Sequence, residues 1–142
     1  MEESLGVQTE IFGQIKRYFQ IRDVDIRTYS PLTLAYIGDG IYDLVIRSII
    51  VGHGNTRASQ LHQHTSHLVK AHTQSEMMEF LLPVLTEEEE DYYRRATGFE
   101  ALLGYLYLTD QFDRLLELVN TGLAGVGADE AARTGNMPEA EA

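Results

Sequence analysis

The sequence predicts a single all-helical domain, and three observations carry that prediction. Apolar residues recur at helical spacing in several stretches. Those stretches open on capping residues and close on glycine or proline, and strand signals are scarce. The chain has 142 residues, enough to bury a real core, with 44% hydrophobic and 23% charged residues. Its first residues, MEESLGVQTE, are acidic and polar, which does not fit a secretory signal. Its apolar runs are cut by Asp43, Arg47 or Glu100 before they reach membrane-spanning length. The absence of cysteine excludes disulfides and thiolate-bound zinc and suits a reducing cytoplasm.

Each element follows in order. Residues 1–8 read as a frayed start. Thr9 to Phe19 reads as a short amphipathic helix with Ile11, Phe12, Ile15 and Phe19 on one side. After the connector RDVDIRTYS, Ser30 as N-cap and Pro31 at the first helical position start a helix that runs to about Val51 and stops at GHGN. Thr56 caps the next helix, through about His64. Another runs from about Ser66 to Leu82 and ends at Pro83. Thr86 opens a fourth, its first turn filled by Glu87 to Glu90, where acids meet the positive end of the helix dipole. That pattern continues through ATGFEALLGYLYL, breaks near Thr109 and Asp110, and restarts as QFDRLLELVNTGL. The domain is expected to span residues 1–124. From Gly125 to Ala142 the only large apolar residue after Val126 is Met137, and this segment reads as a disordered tail. Tyrosine and phenylalanine supply the core bulk, since tryptophan is absent.

Charge is the awkward feature. The chain has 22 acids against 11 lysines and arginines, a net charge of -11. Proteins that hold polyanions usually carry a basic excess, because phosphate contacts supply much of the affinity. Nucleic acid is compatible with this balance if the bases are clustered or a divalent cation bridges the repulsion.

Two acids interrupt apolar runs beside small residues. On the Pro31 helix, Ala35, Gly38 and Tyr42 share a face, with Asp39 next to them. On the later helix, Ala101, Gly104 and Leu108 share a face, with Glu100 one turn from Gly104. Small residues let helices approach closely, so a crossing at these faces would bring Asp39 and Glu100 together. Two adjacent carboxylates repel unless a proton or a cation joins them. A hard divalent ion such as Mg²⁺ does this with one or two carboxylates, water and substrate phosphate. The competing reading is that either acid pairs with an arginine or points to solvent at a helix edge. Spacing alone leaves both open.

LAYIGDGIYDLVIR, together with ATGFEALLGYLYL, resembles the catalytic domain of the ribonuclease III superfamily, most of all its stand-alone Mini-III branch. The resemblance covers about Tyr29 to Val119. It implies an all-helical homodimer without a separate double-stranded-RNA-binding domain, cutting double-stranded RNA with Mg²⁺. A known role in that branch is trimming the ends of precursor large-subunit (23S) ribosomal RNA. Asp39 matches the aspartate of the family's first motif and Glu100 the glutamate of its second, both metal ligands and catalytic. Full-length ribonuclease III adds two more acids, and this chain has Ala35 and Thr97 at those places, as the Mini-III branch does. The family usually has alanine at position 40, where this chain has Gly40. The resemblance implies that each subunit cuts one strand and leaves a staggered break.

One departure stands out. Mini-III proteins usually carry a long basic segment between the acidic helix start and the second motif, and it approaches RNA. Here TEEEEDYYRRATGFEAL joins them directly, so about twenty residues are missing between about Asp91 and Thr97. Arg94 and Arg95 remain, either as RNA contacts or as a solvated face paired with Glu90 and Asp91. Lys70 and Gln74 are candidate phosphate contacts, against the reading of a solvated helix face. His62, His64, His67 and His72 lie close together without the spacing of a closed zinc site. If they face RNA, that surface gains charge below about pH 6.5. The rival to a nuclease is a non-catalytic or weakly active dimeric RNA-binding or ribosome-associated module.

Overall fold

The computed structural model describes residues 10–55, 57–69, 71–95 and 98–134. Seven α-helices account for most of them: α1 Ile11–Phe19, α2 Pro31–Gly52, α3 Ala58–Val69, α4 Ala71–Leu81, α5 Glu87–Arg95, α6 Phe99–Leu108 and α7 Phe112–Thr134. Short 3-10 turns precede α2 and follow α4. No strand occurs among the described residues, and none of their helices is long and apolar enough to cross a membrane.

Every residue of α6 from Ala101 to Tyr107 is buried, so α6 is the central element. A helix apolar on all sides has no solvent face to offer and must be wrapped by others. α2 lies along it and contributes Leu34, Gly38, Ile41, Tyr42, Val45 and Ile46 to the core. α5 packs on α6 with Tyr92 stacked on Tyr105 at 4.0 Å between ring centres. α4 lies along α7, and α3 lies on α2. α1 touches this body mainly through Phe12, 5.4 Å from the Tyr107 ring. The rest of its apolar face, Ile11, Ile15 and Phe19, is exposed.

Local chemistry explains most boundaries. The Ser30 hydroxyl accepts the Thr33 N–H at 3.1 Å and Pro31 opens α2, which then runs 22 residues. Gly54, at φ 122°, ends that segment. Thr86 and Glu89 cap α5 reciprocally: the Thr86 N–H reaches the Glu89 carboxylate at 2.9 Å and the Glu89 N–H reaches the Thr86 hydroxyl at 3.1 Å. Glu89 is itself buried, and both its oxygens accept from Arg114 of α7, at 2.8 and 2.9 Å. The same guanidinium donates to the Val84 carbonyl at 2.9 Å. Arg114 therefore holds the Glu89 carboxyl below its ordinary range. The first N–H of α7, at Phe112, is taken by the Glu10 carboxylate at 2.7 Å.

Three boundaries differ from those the pattern predicts. α5 and α6 are separate helices, because Gly98 adopts φ 127°, outside helical space. α3 runs through Thr65 and Ser66 to Val69, since the Thr65 hydroxyl turns back to the Leu61 carbonyl at 2.8 Å and does not open a new helix. α7 continues past residue 124 to Thr134, so the tail boundary at Gly125 is too early: Val126 is buried and Gly125 sits against the Phe80 ring. Residues 1–9, Thr56 and 135–142 lie outside the described residues.

Candidate active site

Two glycines bring α2 and α6 into backbone contact. A Cβ at Gly38 would overlap the Glu100 carbonyl oxygen, and one at Gly104 would overlap the Leu34 carbonyl oxygen. No side chain fits between the helices there. The Tyr42 and Phe99 rings meet edge to face, 5.4 Å apart, and fix the pair beside the crossing.

The side chains of Asp39 and Glu100 leave the two helices at this crossing and come within hydrogen-bonding reach of each other. Asp39 is exposed and Glu100 is half-buried. Burial is the largest influence on Glu100 and raises its pKa; the neighbouring Asp39 raises it further, while the Gln74 amide opposes the shift. The Gln74 Nε2 donates to Glu100 Oε2 at 3.3 Å. Glu100 also sits in the first turn of α6, where the helix dipole favours a carboxylate. Desolvation and the second acid outweigh that dipole.

Gln74, half-buried on α4, thus reaches Glu100 from the side. Tyr42, one turn after Asp39, has a related role that the sequence pattern does not reveal. Its hydroxyl donates to the Leu68 carbonyl at 2.8 Å and lies 3.4 Å from Met77 Sδ, fastening α3 and α4 to the site. The signal available in sequence is only its place on the Gly38 face. Arg94 and Arg95 pair with Glu90 and Asp91 of their own helix, at 2.8 and 3.1 Å. Arg47 answers Asp43 at 2.8 Å, not Asp39. Lys70 and Thr97 lie outside the described residues. Gly38 is required by the approach of α6, whereas Gly40 has nothing within 4 Å.

Two convergent carboxylates, one of them losing affinity for its charge through burial, suit a hard divalent cation. No group of three or more histidines, cysteines or acids that could hold a metal occurs among the described residues. A cation held here would therefore depend on Asp39, Glu100, water and the substrate itself.

The ribonuclease III domain family matches residues 32–111, more than half of the chain. The comparisons narrow this further. The chain is 39% identical over 125 positions to the Mini-ribonuclease 3 of Enterococcus faecalis, covering 72% of this chain and 95% of that protein. It is 38% identical to the Mini-ribonuclease 3 of Symbiobacterium thermophilum, over 65% of this chain and 86% of that one. With the Mini-ribonuclease 3 of Thermoanaerobacter sp. it shares 40% over 66% of this chain and 80% of the relative. The chain belongs to the ribonuclease III family, in its Mini-ribonuclease 3 branch, and is an endoribonuclease.

Proposed function

We propose that this chain is a Mg²⁺-dependent endoribonuclease acting on double-stranded RNA, with Asp39 and Glu100 as catalytic metal ligands. The observation that carries it is the meeting of those two carboxylates across the Gly38–Gly104 crossing. Bound there, Mg²⁺ would supply Lewis acidity toward the phosphodiester and a nucleophilic water at neutral pH. The chain's own part is to hold and orient. Glu100 is fixed by the Gln74 amide, Asp39 reaches it from the exposed side of α2, and the backbone contact prevents the two from drifting apart.

The natural substrate of this reading is the precursor of large-subunit (23S) ribosomal RNA, processed in the cytoplasm by a homodimer in which each subunit cuts one strand. α2 supports the homodimer: Leu32, Tyr36 and Leu44 are exposed at four- and eight-residue intervals, with open Gly40 between them. The missing positions belong between Asp91 and Thr97 in this reading, and their loss removes basic contacts to RNA. Arg94 and Arg95 remain there as weak contacts, since exposed pairs such as theirs with Glu90 and Asp91 contribute little and exchange readily for phosphate. Lys70 is a further candidate phosphate contact.

The test is incubation of the purified chain with long double-stranded RNA, in Mg²⁺ and in EDTA. Shortened products only with Mg²⁺ are expected. Asp39→Asn and Glu100→Gln should each reduce the rate by about 10³-fold, equivalent to roughly 4 kcal/mol of transition-state stabilisation. Cleavage retained in either variant would remove that acid from the site. Binding without cleavage by the unaltered chain would instead indicate the non-catalytic RNA-binding module.

A further inference from the structure

The distribution of charge along the chain is uneven in one place. Between Asp43 and Glu76 lie 32 residues, 44–75, without a single acid, although acids number 22 in the 142-residue chain. The same stretch holds all five histidines, His53, His62, His64, His67 and His72, together with Arg47, Arg57 and Lys70. With neutral imidazoles this stretch carries +3 and the rest of the chain -14, which together give the net -11. Histidine is the one side chain whose ordinary titration falls between pH 5 and 8. The chain's imidazoles therefore all lie in a single segment.

The fold puts part of that segment on one surface. Ser59, His62, Gln63, Ser66 and His67 line an open groove of about 800 Å³ along α3. Both imidazoles on it are exposed. The groove is tied to the acid pair on two sides. The buried Thr73 hydroxyl of α4 donates to the His67 carbonyl at 2.8 Å, and the next residue, Gln74, reaches Glu100. The Tyr42 hydroxyl holds the Leu68 carbonyl from α2.

We propose that this histidine face of α3 is a track for the phosphate backbone of the RNA, with an affinity that rises as pH falls. The proposal rests on the endoribonuclease reading and adds to it the surface and the regulation. Charge complementarity selects the occupant: in a chain of net charge -11, a polyanion is repelled least by a groove whose lining carries no acid. α2, packed on α3, contributes the Asp43–Arg47 pair, which is neutral as a unit. α4 contributes Glu76, which lies 3.7 Å from the His72 imidazole. Arg57 precedes α3. Imidazoles in place of lysines make the track weak at pH 8 and stronger at pH 6.

The experiment measures binding of the full chain to a double-stranded RNA of about 30 base pairs in EDTA, by fluorescence anisotropy, at pH 8.0 and 5.8 over a range of salt. The unaltered chain should bind about tenfold more tightly at pH 5.8, with a steeper salt dependence. The double variant His62→Gln, His67→Gln should lose most of that gain and change far less at pH 8.0; each single variant should lose part of it. Circular dichroism should match that of the parent, since both side chains are exposed. A gain that survives in the double variant, or an affinity flat with pH in the parent, overturns the track. Mg²⁺-dependent cleavage at pH 8.0, measured in parallel, separates the two readings. Cleavage with pH-flat binding defeats the track alone, and neither cleavage nor binding at either pH defeats both.

Discussion

Two helix crossings in this molecule are lined with glycine, and they use it differently. At α2–α6, Gly38 and Gly104 admit the opposing backbone itself: the atoms a Cβ would strike are carbonyls of Glu100 and Leu34. At α4–α7, Gly122 and Gly125 admit side chains, Met77 and Phe80. A carbonyl in a helix has no alternative position. A methionine has three flexible torsions and can repack. The first crossing is therefore fixed in register, and the second is adaptable. The acids stand on the fixed one, which is what a constellation needing sub-ångström placement requires.

The largest test of this contrast is alanine at each crossing. Gly38→Ala and Gly104→Ala should each cost about 3 kcal/mol or more, lower the melting temperature by roughly 10 °C, and abolish cleavage together with the crossing. Gly122→Ala should cost less than either, about 1–2 kcal/mol, because the Met77 Cε can swing away while its Cβ must give only slightly. Equal losses at both sites, read by thermal denaturation, would erase the distinction.

A smaller effect tests the electrostatic load that the fixed crossing carries. The folded state raises the pKa of Glu100, so folding favours its protonated form, and that contribution is lost as pH rises through the folded value. In EDTA above about pH 6, Glu100→Gln should melt a few degrees higher than the parent. The advantage should vanish as pH falls below the ordinary glutamate value near 4.5, where both states are protonated. Mg²⁺ should raise the parent's melting temperature and leave the variant's almost unchanged. A variant less stable than the parent at neutral pH would contradict the shift.

The smallest expected change is at the other glycine beside Asp39. Gly40 meets nothing within 4 Å, so Gly40→Ala should gain about 0.5–1 kcal/mol from helix propensity alone. A loss measured by denaturation would mean that a second chain comes within reach of position 40.

How much of this could be read in the sequence depended on the range of the forces involved. Local chemistry was legible: Ser30 and Pro31 start α2 where the pattern puts them, and Thr86 caps α5. The meeting of Asp39 with Glu100 was also foreseeable, because small residues beside each acid imply a close crossing. Gly98 was not legible as a break, since one glycine inside a helical pattern is usually tolerated and its φ of 127° is set by the turn between α5 and α6. The last turns of α7 were missed for the opposite reason. A glycine-rich segment looks unable to fold by itself, and its glycines are seats for Met77 and Phe80, 45 residues earlier in each case. Gln74 was legible as a functional position but not as a partner of Glu100, because nothing in a linear pattern specifies which helix α4 faces.

The Arg114 clasp has a consequence for how this domain changes over time. Arg114 grips Glu89 and Val84, and Tyr92 stacks on Tyr105, so α5 is anchored to α7 and α6 by contacts that all precede its last residue. Glu100 is anchored separately, by the α2 crossing. The two anchors are independent of each other, so a change of length in the connection between α5 and α6 should leave the acid pair in place.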